Sequence, residues 1–444
     1  MREPNTSKEQ KIVSIAVLSL LAVGPSFASV GAPPCEVSSA STCSSYSCTA
    51  DSSWFNNGQP NVSNPAVDLP TSDPSQQTNC EFHQLAWQDF LYLMTPTSTP
   101  GVLNYDTWQP YYEVLRLATP ADCGDAKLSL GLIAKTDTIH SGTGDIQQAG
   151  SDDPLIGQNG NYVHYDMRVN LTEEVFIELC DLWAEQCFAL ASNLDLPSGS
   201  TTSNEVGAIE IKAAWKIFND GEDTSRYYTT TAAVQPVSPS DSSCAVKTVG
   251  LVGLHIVHKT PSHPEFIWAT FEQVDNAPNC DNLSATPPAG SWSFYDQTQN
   301  CDTNKNCNTY VTGQATQVCR ENTCGGGSEA NSQNQCDIYL LNNSVHSQLA
   351  SDSVWQNYYL TGAVWFNQAD SSKPQTGSVN LANTTMETYT QSINCFTCHT
   401  QTYSNAAGQQ QLDFSHIFDR IDKSSSSYCA EGLPFSCYTV AGSK

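Results

Sequence analysis

Eighteen cysteines are spread over these 444 residues, and they constrain the fold more than any other feature. Two lie in Cys395-Phe396-Thr397-Cys398-His399, and the remaining sixteen are an even number that could close eight disulfides. Disulfides at that density persist in an oxidising compartment outside the cytoplasm. Close spacing suggests Cys180/Cys187, Cys319/Cys324 and Cys429/Cys437 as local pairs, although the sequence does not give connectivity.

The N-terminus agrees with export. Residues 1–11 are polar and carry Arg2, Lys8 and Lys11. An apolar run follows from Ile12 to Gly24, and then Pro25-Ser26-Phe27-Ala28. A charged start, a short apolar core and a small-residue exit read as a secretory signal over 1–28. The apolar run is short for a bilayer span, and no later stretch is longer and as apolar. No lipobox-like sequence precedes Cys35, which argues against a lipid anchor. The expectation is an exported protein, in the periplasm or secreted, without stable membrane insertion. Its formal net charge of −27 lacks the basic footprint that nucleic acid requires. The same charge favours a neutral or basic partner.

Residues 29–78, rich in Ser, Pro, Asn and Thr, read as an irregular lead held by disulfides. Within Glu81–Leu91, the residues Phe82, Leu85, Ala86, Asp89 and Phe90 recur at helical spacing, so a helix is expected. The body, 79–380, reads as β-rich, with strands over 208–218, 227–237, 249–258 and 266–274. The prolines of Pro261-Ser262-His263-Pro264 mark a loop between the last two, which suggests an antiparallel pair. A weaker helix is expected over 172–182, and 275–335 reads as loop. Residues 381–444 read as a separate segment. There Thr384-Thr385-Met386-Glu387 has the form of a capping box, predicting a helix toward Cys395, and a second helix is expected around Phe414–Arg420.

The spacing Cys395-x-x-Cys398-His399 suits one chemistry. Two thiols three residues apart can add to the two vinyl groups of a porphyrin edge, and the adjoining imidazole can reach the iron. Chance gives about 0.015 such matches in a chain of this composition. In these five residues the chain resembles c-type cytochromes. The run Gly253–Pro261 followed by Phe266–Glu272 is similar to large exported bacterial proteins of the cytochrome c family. The resemblance implies one covalent haem c on Cys395 and Cys398, with His399 as proximal ligand.

It departs from the small cytochromes in one respect: no Met follows Met386. The second axial ligand would then be His416, an upstream residue, or absent. Upstream candidates are His83, His140, His164, His255, His258, His263, His346, Met94 and Met167. His255 stands out because an imidazole in an apolar strand needs a partner. Extended geometry puts it on one face with Leu251 and Val257, and His258 on the other. His255, His258, His263 and Glu265 match no trusted zinc spacing, and Trp268 and Phe271 read as core.

The expected fold is α+β: a β-rich antiparallel body with a small C-terminal helical haem-binding segment packed on it. The leading expectation is one-electron transfer to a redox partner protein. The alternatives are a mono-haem peroxidase or oxidase with an open iron site, and a haem-bearing ligand-binding protein.

Overall fold

The computed structural model describes residues 43–131, 154–190, 194–305, 314–322, 332–366, 375–392, 395–399, 403–405, 408–410, 415, 417–421 and 437. The signal segment, His140 and His416 lie outside these residues.

Nine strands among them form one sheet. In chain order they are β1 (Gln109–Pro110), β2 (Leu128–Gly131), β3 (Val163–Val169), β4 (Ile209–Ile217), β5 (Thr229–Gln235), β6 (Ala245–His258), β7 (Ile267–Gln273), β8 (Tyr358–Phe366) and β9 (Gln375–Gly377). The spatial order is β9-β8-β7-β6-β4-β3-β1, with antiparallel neighbours throughout. β5 pairs with the first half of β6, and β2 joins β5 in parallel. The four strands expected from sequence are therefore present, including the antiparallel β6–β7 pair. Every residue of β7 is buried, because both faces of the sheet are covered.

Two helices cover the first face. They are α1 (Asn79–Leu93) and α3 (Ser332–Gln348); α2 (Leu171–Leu179) and α4 (Cys395–His399) lie elsewhere. α1 starts where Glu81 reaches back to accept a hydrogen bond from Thr78 N at 2.7 Å. Its apolar side meets the sheet through aromatic rings: Phe82 stacks on Trp365 at 3.7 Å and Phe90 on Phe271 at 4.5 Å. The lead contributes more than disulfides, since Trp54, Val62 and Leu69 enter this same core.

Sequence periodicity missed α3 because its inner side is studded with polar residues. Asn334, Asp337 and Asn342 are buried there beside Ile338, Leu341 and Val345. Asn342 does the work of a strand edge: its Nδ2 donates to Leu360 O, and its Oδ1 accepts from Leu360 N and from Trp87 Nε1.

The second face carries the polypeptide from Gly377 toward α4. The predicted helix at 384 does not form. Asn383 caps a single turn instead: its O accepts from Met386 N and Glu387 N, and its Oδ1 accepts from Thr385 N. Residues 384–392 then continue as turns and bends. The polar side chains that mimic a capping box are committed to the sheet below. Farther on, the described residues hold the five-residue α4, a small hairpin (Tyr403–Asn405 with Gly408–Gln410) and a 3₁₀ turn at Ile417–Arg420.

Disulfides link segments distant in sequence. They join Cys43 to Cys336, Cys48 to Cys80, Cys123 to Cys244, Cys180 to Cys437 and Cys280 to Cys319. This corrects all three local pairings, because Cys180, Cys319 and Cys437 have remote partners. Cys43–Cys336 and Cys48–Cys80 tie the lead to α3 and α1, and Cys180–Cys437 ties the end of α2 to the C-terminal segment. Cys187 and Cys301 are also disulfide-bonded.

Asp337 is a stability liability of α3. Burial pushes its carboxyl up to about 6, and Oδ2 has no hydrogen-bond partner. A carboxyl raised in the folded state stabilises when protonated and loses that contribution as pH climbs from the unfolded value to the folded one. Asp337→Asn should therefore stabilise the protein by about 1–3 kcal/mol at pH 7–8. The gain should shrink to nothing below about pH 4 in urea denaturation across pH.

Candidate functional site

The second face is ordered in transverse rows of cross-strand neighbours. One row runs Val169–Glu210–Val257–Trp268–Val364. The next runs Met167–Lys212–His255–Thr270–Gly362, and a third Tyr165–Ala214–Gly253–Glu272–Tyr359. A β-bulge between Leu251 and Gly253 shifts the register within β6. It puts Leu251 on the α1 side with Leu254 and Ile256, and leaves His255 on the other face with Val257. The expected grouping of His255 with Leu251 is thereby corrected, whereas the opposition of His255 and His258 stands.

Two glycines let the incoming chain lie close on these rows. A Cβ at Gly253 would collide with Thr385 Oγ1 and Asn383, and one at Gly362 with Ser378 Oγ. Asn383 Nδ2 donates to Thr270 Oγ1 and to Phe271 O, and Tyr165 O–H donates to Thr385 O at 2.6 Å. Glu272, wholly buried, accepts from Thr384 N and Thr384 Oγ1. It also accepts from Arg320 Nη2 at 2.7 Å and Arg320 Nε at 3.2 Å. A buried charge is tolerable only with such pairing.

His255 Nε2 lies 3.0 Å from Glu387 Oε1, with both side chains partly exposed. Burial raises the Glu387 carboxyl, but His255, Lys212 and the Asn383 N–H outweigh it and hold it below the ordinary range. Lys212 Nζ sits 4.7 Å over the Tyr165 ring. Met167, Lys212 and His255 are all half-buried, the most accessible stretch of the middle row.

α4 lies over the first row. Positions 395, 398 and 399, at i, i+3 and i+4, share one side of a helix. Phe396 is buried between Phe366, at 4.6 Å, and Trp268, at 6.4 Å. The His399 ring is 4.1 Å from the Trp268 ring. Cys395 Sγ points to Leu381 O at 3.6 Å. Phe271 is core, as expected, but Trp268 faces the motif, a role that strand alternation from His255 and Val257 could have indicated.

The other candidate ligands are distributed by the same alternation. His258 Nδ1 is 2.7 Å from Asp89 Oδ2 on the α1 side. His83, His164 and His346 are pushed down to about 4 by burial. They bond to Asn334, Pro236 O and Tyr358 O respectively. His263 Nε2 bonds Gln77, and Met94 is buried in the α1 core. Of the described candidates, only His255 and Met167 share the sheet face over which His399 lies.

The residues fit a covalent haem in two respects. Two thiol positions and an imidazole on one side of a helix are its donor set. Trp268 Nε1 is buried beside His399 without an acceptor, and a group bringing its own carboxylates would supply one. Among the described residues no cluster of three or more His, Cys, Asp or Glu could hold a free metal ion, and no helix is long and apolar enough to cross a membrane. Comparison with family models, curated proteins and solved structures returns no match.

Because the Glu387 carboxyl is held low, its stabilising contribution is present at neutral pH and is lost as pH falls through the folded value. In the haem-free chain, Glu387→Gln should cost about 1–3 kcal/mol at pH 7. In chemical denaturation the two proteins should converge at strongly acid pH.

Proposed function

We propose that the chain is an exported mono-haem c-type cytochrome that passes single electrons, in which Cys395 and Cys398 would carry haem c covalently and the His399 imidazole would bind its iron. The observation that carries this reading is the Cys-x-x-Cys-His motif on a helix pressed against a buried sheet face. Haem, when bound, supplies a one-electron ferric/ferrous couple. The chain's own residues supply the rest. Phe396 anchors α4 between Phe366 and Trp268. Trp268 flanks the His399 ring. The apolar row Val257–Trp268–Val364 gives the motif a dry floor, the setting in which burial tunes a reduction potential.

On this reading His255, the half-buried imidazole of the middle row, would be the second donor to the iron, and its contact with Glu387 would have to give way. His416 remains the alternative from the C-terminal segment, and Met167 is the thioether on the same face as His255. Two imidazoles set a lower potential than an imidazole–thioether pair. The disulfides support export to an oxidising compartment, and the periplasm is the proposed location. A redox protein is the proposed partner.

Acid–acetone extraction of the denatured protein should leave one haem per chain, and Cys395→Ala with Cys398→Ala should abolish covalent attachment. Electron paramagnetic resonance of the wild type should show six-coordinate low-spin iron, converted to high spin in His255→Ala and unchanged in Met167→Ala. Freely extracted haem would overturn the attachment. A high-spin wild type that binds carbon monoxide readily would favour the peroxidase or oxidase alternative.

A further inference from the structure

α2 is amphipathic the wrong way round. Its inner side is sealed, with Ile177 fully buried in the core that also contains Trp268, Val364 and Phe396. Its outer side carries Leu171, Val175 and Leu179, exposed by 68%, 53% and 52%. They stand at i, i+4 and i+8, so they form one stripe along the helix. Helices normally turn charged residues to water, and the most exposed large apolar side chains among the described residues instead line up on this one. Half-buried Phe176 and Trp183 extend the apolar area from the same core.

The stripe has an acidic border. Glu174 and Glu178 occupy the adjacent helix row, and Glu113 is close enough to act on Glu174. Burial and then repulsion from Glu178 and Glu113 raise the Glu174 carboxyl. Arg116 at this border is held by Glu178 at 2.7 Å and stacks on Trp183 at 3.8 Å.

We propose that the Leu171–Val175–Leu179 face of α2 is the docking surface for a redox partner protein with an apolar centre ringed by lysine or arginine. The proposal rests on the electron-transfer reading and names its partner's chemistry. Charge decides between occupants: a second copy would set Glu174 and Glu178 against their own counterparts, and an anionic lipid surface would repel them, whereas a basic rim is attracted. Size agrees, because three side chains on a nine-residue helix fall short of a stable dimer interface and suit a transient encounter. Position agrees as well, since Cys180 at the end of α2 is bonded to Cys437 of the segment that contains the motif. One electron passes in the encounter: the donor is oxidised by one, the acceptor reduced by one, and no bond changes.

The test uses the full exported chain and a lysine-rich cytochrome c as probe, with the lysine-acetylated form of that probe as control, in isothermal titration calorimetry. Two variants are compared, Val175→Ser with Leu179→Ser, and Glu174→Lys with Glu178→Lys. The wild type should bind the probe, and each of high salt, acetylation and either variant should weaken binding tenfold or more. Haem content should be the same in both variants. No binding by the wild type, or variants that bind as the wild type does, would overturn the proposal. So would a wild-type dimer in sedimentation that the serine variant dissociates, or serine-sensitive binding to anionic vesicles. A chain that binds the probe through the stripe but carries no covalent haem would leave the docking surface standing and remove the electron-transfer reading.

Discussion

Glu272 has no contact with water, and the architecture around the motif depends on how its charge is satisfied. Its carboxylate takes hydrogen bonds from Arg320 and from both the backbone and the hydroxyl of Thr384. Arg320 belongs to a loop tied back by Cys280–Cys319, and it also donates to Ala277 O and Asn279 Oδ1. One central strand, one disulfide-bound loop and the approach to α4 therefore meet at a single buried ion. Removing Glu272 or Arg320 leaves the other charge uncompensated, which is among the most destabilising changes a core can suffer, and removing Thr384 takes two hydrogen bonds from the carboxylate. The approach to α4 is thus held firmly even though it has no regular secondary structure.

The sheet divides two kinds of work between its faces. The α1 side is aromatic, closely packed and structural, and its polar residues pair with one another, as His258 does with Asp89, or serve backbone groups, as Asn342 does for Leu360. The other side mixes an apolar row under α4 with a middle row in which Met167, Lys212 and His255 remain partly accessible. Alternation along β6 and β7 sorts chemistry from packing: His258 and Phe271 go to one side, His255 and Trp268 to the other. The bulge at Leu251–Gly253 sets this division, because without it His255 would follow Leu251 into the α1 core.

Much of this was legible in the sequence where side-chain period and element agree. β4 and α1 announce themselves because their apolar residues recur at two and at three to four. β6 and β7 were legible from their Val-, Ile- and aromatic-rich runs and from the prolines between them. α3 was not, because Asn334, Asp337 and Asn342 interrupt its inner face for reasons that exist only in three dimensions. The Thr384–Glu387 pattern failed for the complementary reason: Thr384 bonds outward to Glu272, and Glu387 divides between His255 and the Asn383 N–H, so the local signal was real chemistry shared with remote partners. At the candidate site the five motif residues were legible from spacing, and the position of His255 nearly so. Trp268 and Glu387 acquire meaning only from which face they share.

The joining of Cys180 to Cys437 has a bearing on how the protein is made. A chain that emerges from its N-terminus presents Cys180 and Cys187 together, hundreds of residues before Cys437 is available. An oxidant acting in order of arrival would close the nearer pair first, and the native pairing could then be reached only by thiolate attack on that bond. Cys43, which must wait for Cys336, faces the same delay. Oxidising power alone is therefore a poor midwife for this protein, and a cell that produces it needs the means to reshuffle disulfides as well as to form them.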